Sequence, residues 1–411
     1  MKSKKLMTIL IAGAALMGAT FGGCGNPVND DAVFATLDDT KITMGVANFF
    51  AKYQQVMYDT SFMGYYGEDM WNNDLYGNGS ALKEDVKNNV AEDLQKLYLL
   101  KAHMEEYGIS ISEDEEAALA KAVDNFIADN SKAAIRQIGA ENKENAIEML
   151  RLRTIEKKMR DRIIQDADTT VSDEEAAQRT FSYLQISTAA HTDENNNQVE
   201  YTEEEKAGLK TVAEGIAASS PETFETAVTD SGYTLNTASY GSAEDENASM
   251  DKAVLEAADA LTEGQISGVV ETDSAYYVLR LDKAFDEEAT ASKREELIKE
   301  KQENYYTDVI DGWKDESKWE INESEWEKVT FEEYFKLPEE EDTESLSEES
   351  TESGNAAENA TENAADNPVE NATENPLDDG SAAENTAENP ADNMTEGEDP
   401  AENENSNDVE Q

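Results

Sequence analysis

The sequence predicts an α+β protein: an all-helical body interrupted by a small mixed module, with an export leader before it and a polar tail after it. Three observations carry that reading. Apolar residues recur every three or four positions from about 44 to 166 and again from 293 to 313, the period of amphipathic helices. Between about 168 and 286 short β-branched or aromatic runs alternate with helical ones, the pattern of a small α+β fold. From 338 to 411 there are 25 Asp and Glu, no Lys or Arg and no aromatic residue, so that stretch has almost nothing to bury.

The leader comes first. Residues 1–5 read Met-Lys-Ser-Lys-Lys, and Leu6–Phe21 is apolar and uncharged. That run is short of the ~20 residues a spanning helix needs and has the length of a secretory h-region. It ends in Phe21-Gly22-Gly23-Cys24, and Cys24 is the only cysteine of the 411 residues.

In the body, Ala32–Leu37, Asp38-Asp39 and Lys41–Thr43 read as strand, turn and short strand. Met44–Met57 puts Val46, Phe49, Phe50, Tyr53 and Met57 on one helical face. The stretch 60–80 is rich in Gly, Asn and aromatics and reads as a loop. Its Phe62, Met63, Tyr65, Tyr66, Met70, Trp71, Leu75 and Tyr76 either form an adaptable binding surface or pack back on the body. Leu82, Val86, Val90, Leu94 and Leu97 predict a helix over 80–107, ended by Gly108. Ser112 with Glu115 is a capping box for the next helix, and helix continues to about 166.

In the module, Ser172 with Glu175 caps a short helix, and Phe181–Ser187 alternates as a strand. Thr202 with Glu205 caps a helix to about Ala218, and Pro221 opens another carrying Phe224. Tyr233–Ser239 is extended, Asp251–Ala260 is a short helix, and Gly268–Ser274 and Ala275–Leu281 are two strands around a turn. Lys293–Trp313 returns to helix, and Trp313, Trp319 and Trp326 anchor a returning segment on the body.

Composition narrows the function. With 33 basic against 92 acidic residues, the net charge is −59, which argues against phosphate-binding surfaces and so against a nucleic-acid partner. Removing the tail's 25 acids leaves 67 against the same 33 bases. One cysteine and two histidines exclude an internal disulfide and a thiolate zinc site, and make Ser-His-Asp or Cys-His catalysis a poor expectation. No metal or cofactor is expected. In the tail, Asn355, Asn359, Asn363, Asn367, Asn371 and Asn375 recur every four residues, and five of the seven prolines lie there. Asn and Pro disfavour helix, so 338–411 is expected to be a disordered, solubilising segment.

Some of these residues carry a family resemblance. The run Leu-Thr-Glu-Gly-Gln-Ile-Ser-Gly-Val-Val-Glu-Thr-Asp-Ser-Ala-Tyr-Tyr-Val-Leu-Arg-Leu at 261–281 resembles the last third of a parvulin-type (PpiC-type) peptidyl-prolyl isomerase domain. Phe181–Ser187 is similar to its first strand, and Met250 with Leu255-Glu256-Ala257-Ala258 to its Met…Phe-x-x-Ala segment. Ala32–Phe50 and Leu97–Ile111 resemble parts of SurA/PrsA-like helical chaperone domains, and Phe21–Cys24 resembles a lipobox. The order of parts resembles a PrsA-type foldase lipoprotein, which implies a signal peptide at 1–23 and a chaperone domain at 24–166 completed by 290–330. It further implies an inserted isomerase domain at 168–286 and a tail at 338–411.

The resemblance implies two core histidines, a neighbouring Asp or Cys, and an apolar Met/Phe wall for the proline. Here Tyr183 and Tyr277 fall on the histidine positions and Val254 on the wall phenylalanine, while Met250 remains; Asp230 is the nearest candidate for the acid. His191 lies beyond the strand in a polar loop and His103 in the helical region. Two tyrosines are able to hydrogen-bond across the core. Rotation about X–Pro needs a grip on the ring and a desolvated amide rather than a nucleophile. The implied protein is a foldase acting on unfolded exported polypeptides, held by an acyl chain on Cys24 at the extracytoplasmic face of the cell membrane. Two alternatives stand beside it: a catalytically inactive holdase on the parvulin fold, and a non-enzymatic surface or wall protein. Clients and oligomeric state are open.

Overall fold

The computed structural model describes residues 17–18, 28–192, 198–242 and 250–336. The chain divides into residues 1–342 and 343–411, and every described residue lies in the first unit. Cys24 and the tail at 338–411 fall outside the described residues, as does all of the leader except Met17–Gly18, a two-residue strand (β1).

β2 (Val33–Leu37) and β3 (Thr40–Thr43) form the expected hairpin. Its turn sits on Asp38, at a φ of 49°, a left-handed conformation that a short polar side chain tolerates. Thr43 then caps α1 (Met44–Ser61), its hydroxyl accepting from the Val46 N–H. The stretch expected to be a loop is partly helical, with α2 (Met63–Tyr66) and a 3-10 turn at Glu68–Asn72. These short turns exist because Met70 and Trp71 are buried against the body. α3 (Leu82–His103) follows; beyond it the Ile109 N–H reaches back to the Met104 carbonyl at 2.8 Å across Gly108, whose φ is 66°. α4 (Glu113–Asp129) begins on the expected Ser112–Glu115 capping box, and α5 (Lys132–Gln137) and α6 (Lys143–Ile163) complete the set. Phe34, Met44, Phe49, Leu82, Leu94 and Leu152 share one buried core.

The mixed module runs through α7 (Asp173–Ala176), β4 (Arg179–Ser187), β5 (His191–Thr192), β6 (Gln198–Val199), α8 (Glu203–Ala217) and α9 (Phe224–Asp230). β7 (Asn236–Tyr240), α10 (Lys252–Asp259), β8 (Val270–Glu271) and β9 (Ala275–Lys283) follow. His191, expected in a loop, pairs with Val199 in a small hairpin. The sheet has the order β7-β4-β9-β8, antiparallel throughout. Helices cover both faces, so both alternating residue sets are apolar. Phe181, Tyr277, Leu279 and Leu281 face α10, whereas Leu184, Ile186, Tyr276 and Val278 face α8 and α9. β8 is shorter than expected because the Ser267 hydroxyl takes the Leu279 N–H at 2.9 Å, where a strand carbonyl would otherwise sit.

The chain leaves this module beside the point at which it entered: the Asp286 N–H donates to the Gln178 carbonyl at 2.8 Å. α11 (Glu287–Glu316) is 30 residues long, about 45 Å at 1.5 Å per residue. Its later half buries Tyr306 and Ile310 against Leu100, Ile155, Met159 and Ile163. β10 (Trp319–Ile321) pairs with β2, α12 (Glu323–Trp326) buries Trp326 edge-on to Phe34 at 4.7 Å, and β11 (Phe335–Lys336) pairs with β1. Trp313 stacks on His103 at 4.1 Å, so all three late tryptophans touch the body, as expected. α1 clamps the last segment: Lys52 donates to the Thr330 carbonyl, Gln55 to the Glu333 carbonyl at 2.8 Å, and Asp59 accepts from the Phe335 N–H at 2.9 Å.

Candidate functional site

The site is built on the α10 face of the sheet. Alternation along β4 puts Phe181 and Tyr183 on this face, and alternation along β9 does the same for Tyr277 and Leu279. In the β4–β9 register Tyr183 lies opposite Leu279 and Gln185 opposite Tyr277, so the two tyrosines are diagonal neighbours. Their ring centroids are 6.1 Å apart at 40°. They meet ring to ring, without using the capacity of their hydroxyls to bond across the core. Among the described residues neither hydroxyl has a hydrogen-bond partner.

α10 supplies the opposite wall. Its cap, Asp251, accepts from the Ala253 N–H at 2.8 Å and starts the helix one residue after Met250. Val254 and Ala258 are wholly buried against the sheet, Met250 is half-buried, and Tyr277 is 8% exposed. Tyr183, Tyr277, Met250 and Val254 therefore do come together, but unequally. Val254 is floor, while Tyr183, Met250, Ala238, Ala257 and Val270 are the apolar groups that reach the surface of the cluster.

Asp230 does not join them. It ends α9, whose Phe224 and Val228 pack on the other face of the sheet, and it is exposed. The acid that bears on the face is Asp251: burial first, then Tyr183 and Asp251, push the Tyr277 hydroxyl above its usual range. Neither histidine is near this cluster; His191 stacks on Tyr201 at 4.2 Å, and His103 on Trp313.

Sequence reasoning missed a second feature. The Tyr240 hydroxyl donates to Asp259 Oδ1 at 2.8 Å, and Arg179 donates to the same oxygen at 2.7 Å and to the Leu261 carbonyl at 3.2 Å. Tyr240 also meets Phe181 edge-on at 5.5 Å. This set ties the end of α10 to β4 and β7 and fixes the wall that Met250 and Val254 belong to. Its members are about 20 to 80 positions apart, so no local motif announces them. Chemically the face offers an apolar floor, aromatic rings and neutral hydroxyls. No group of three or more His, Cys, Asp or Glu among the described residues is placed to hold a metal.

Residues 171–292 match the family model of the PPIC-type PPIASE domain. The chain carries a parvulin-type peptidyl-prolyl isomerase domain. The described site lies wholly inside that parvulin domain. Among solved structures, the chain is similar to foldase protein PrsA from Streptococcus pneumoniae str. Canada MDR_19A, with 17% identity over 59% of this chain and 92% of that one, at a TM-score of 0.27. It is also similar to peptidylprolyl isomerase (PrsA) from Bacillus cereus, with 16% identity over 63% and 97%, at 0.27. A third is the PrsA of Bacillus anthracis, with 16% identity over 54% and 94%, at 0.23. TM-scores of that size do not define a common fold, so the parvulin domain rests on the sequence match. No curated protein matches the chain.

Proposed function

We infer that the protein is a membrane-anchored foldase that holds unfolded exported chains on its helical body and isomerises X–Pro bonds slowly on its parvulin domain. The observation that carries this is the 171–292 match, whose α10 face gathers Tyr183, Tyr277, Met250 and Val254. By resemblance the two tyrosines stand where active parvulins have histidines. Their rings and Met250 give a proline an apolar seat and exclude water from the amide. Among the described residues the face presents no charged or imidazole donor for the prolyl nitrogen. Val254 is smaller than the phenylalanine it replaces, so it leaves less apolar surface against the ring.

The test is a protease-free isomerisation assay on the full chain with a proline tetrapeptide. The expected efficiency is about 100-fold below that of active parvulins, or ~2.7 kcal/mol of transition-state stabilisation. A rate equal to active parvulins overturns the weak-isomerase reading. No rate above the uncatalysed one favours the second reading, a holdase on a parvulin scaffold, which the missing imidazoles support. Anchoring belongs to the same proposal: Cys24, at the end of an uncharged apolar leader, is the acylated first residue of the mature chain. Cys24→Ala is expected to move the protein out of the membrane fraction, and unchanged partitioning would refute the anchor.

A further inference from the structure

The described surface concentrates its exposed aromatics in one place. Phe62, Tyr65, Tyr66 and Tyr76 are 45%, 86%, 49% and 55% exposed, and all lie between the end of α1 and the start of α3. The only other aromatic exposed to this degree among the described residues is Phe285. The shelf under them is fixed. Met70 and Trp71 are buried, Trp71 stacks on Phe331 at 4.3 Å and donates to Asp59 Oδ1 at 2.8 Å. The Tyr58 and Tyr76 hydroxyls are 2.7 Å apart, and the Tyr334 hydroxyl donates to the Glu68 carbonyl at 2.7 Å. Rings held out on such a support are not frayed ends, and clustered apolar surface of this kind marks an interaction site.

Its charge selects the partner. Between Lys52 and Lys83 the sequence has no Lys or Arg, while Glu68, Asp69 and Asp74 are exposed among the rings. A cleft of about 420 Å³ opens beside α2, with Met63, Gly64, Glu68 and Phe335 in its walls and Lys336 as its one cation. Tyrosine faces attract ammonium and guanidinium groups, and the carboxylates add Coulomb attraction at the same spot. A second copy, with a net charge of −59, is repelled, as are the acidic tail and an anionic lipid surface.

We propose that this aromatic, acidic shelf captures cationic unfolded segments, extended stretches that mix Arg or Lys with apolar residues. The proposal rests on the foldase reading above and names the class of client segment. Arg or Lys side chains lie over Tyr65 and Tyr66 and pair with Glu68 and Asp69, while apolar side chains settle against Phe62 and Met63.

The test uses the full chain and a labelled, unstructured, proline-free Arg/Leu peptide, read by fluorescence anisotropy beside an Asp/Leu peptide of equal length. The cationic peptide is expected to bind and the acidic one not. Tyr65→Ser/Tyr66→Ser, at exposed positions and with an unchanged melting curve, is expected to weaken binding about tenfold, or ~1.4 kcal/mol. Glu68→Gln/Asp69→Asn is expected to weaken it similarly and to flatten its salt dependence. If the tyrosine pair binds the cationic peptide as tightly as wild type, the acidic tail or overall charge explains the binding and the proposal fails. Equal binding of the acidic peptide also overturns it. Because the probe lacks proline, isomerase activity stands or falls separately.

Discussion

A tyrosine hydroxyl stays protonated at neutral pH, and at Tyr277 burial with Tyr183 and Asp251 pushes it further up. Any isomerisation carried by this face is therefore expected to run flat between about pH 5.5 and 8, where an imidazole would give a step. A Tyr183→His/Tyr277→His variant is expected to raise the rate and bring in that step; rates followed across the pH range check both. Asp59 titrates with the opposite consequence. Burial pushes its carboxyl up to about 6, against the pull of the Phe335, Trp71 and Gln55 donors and of Lys52. The folded protein thus holds this proton more tightly than the unfolded chain, whose carboxyl titrates near about 3.9. The stability gained from the group grows as pH falls from about 6 towards about 4 and is lost as it ionises. Lys52, drawn down to about 8 by the same burial, is the only cation in that network. Asp59→Asn keeps one acceptor for Trp71 but sets an amide N–H against the Gln55 or Phe335 donor, a loss of about 1–3 kcal/mol. Melting curves from pH 7 to 5 are expected to show wild type gaining on the variant as pH falls. A pH-independent gap would place the carboxyl in water.

Among the elements, α11 depends on the residue just before it. Asp286 caps it, accepting from the Glu288 and Ala289 N–H groups, and also accepts from the Thr180 hydroxyl at 2.7 Å and from Lys283 at 3.0 Å. Thr180 and Lys283 hold its carboxyl down to about 2, so its contribution is present above about pH 4 and is lost as pH falls towards 2. Asp286→Ala is expected to lower the melting temperature by several degrees at neutral pH and by less in acid, read by circular dichroism. Caps of this kind were legible in advance. Ser112–Glu115, Ser172–Glu175 and Thr202–Glu205 all form the boxes their spacing implies, because the interaction spans only three residues. The alternation in β4 and β9 was equally local. What escaped depends on partners far along the chain. The turns at 63–72 form only because Met70 and Trp71 find a core, and β8 is cut short by the Ser267 hydroxyl. At the site, four of the five expected positions gather because two strands and α10 fix them. Asp230 sits on the wrong face, since nearness to a motif says nothing about which side of a sheet a helix covers.

At the scale of the molecule, the parvulin domain hangs from a narrow stem. The Gln178 carbonyl and the Asp286 N–H are hydrogen-bonded, and the two cores of the helical body draw no residue from 179–285. Replacing 179–285 by a short Gly/Ser linker is expected to leave a body that folds and still slows aggregation of an unfolded client, measured by light scattering. A body that folds yet protects nothing would move client binding into the parvulin domain. The same division has an optical consequence. All four tryptophans, Trp71, Trp313, Trp319 and Trp326, are packed in the helical body, whereas the parvulin domain has only tyrosines to emit. Red-edge excitation, which tyrosine does not absorb, therefore reports the body alone, and the parvulin domain is silent in that channel. In a single unlabelled sample titrated with urea, tryptophan emission follows one half of the protein, and far-ultraviolet dichroism follows both. A separation between the two midpoints, multiplied by the urea dependence of stability, gives the free energy by which one half outlasts the other.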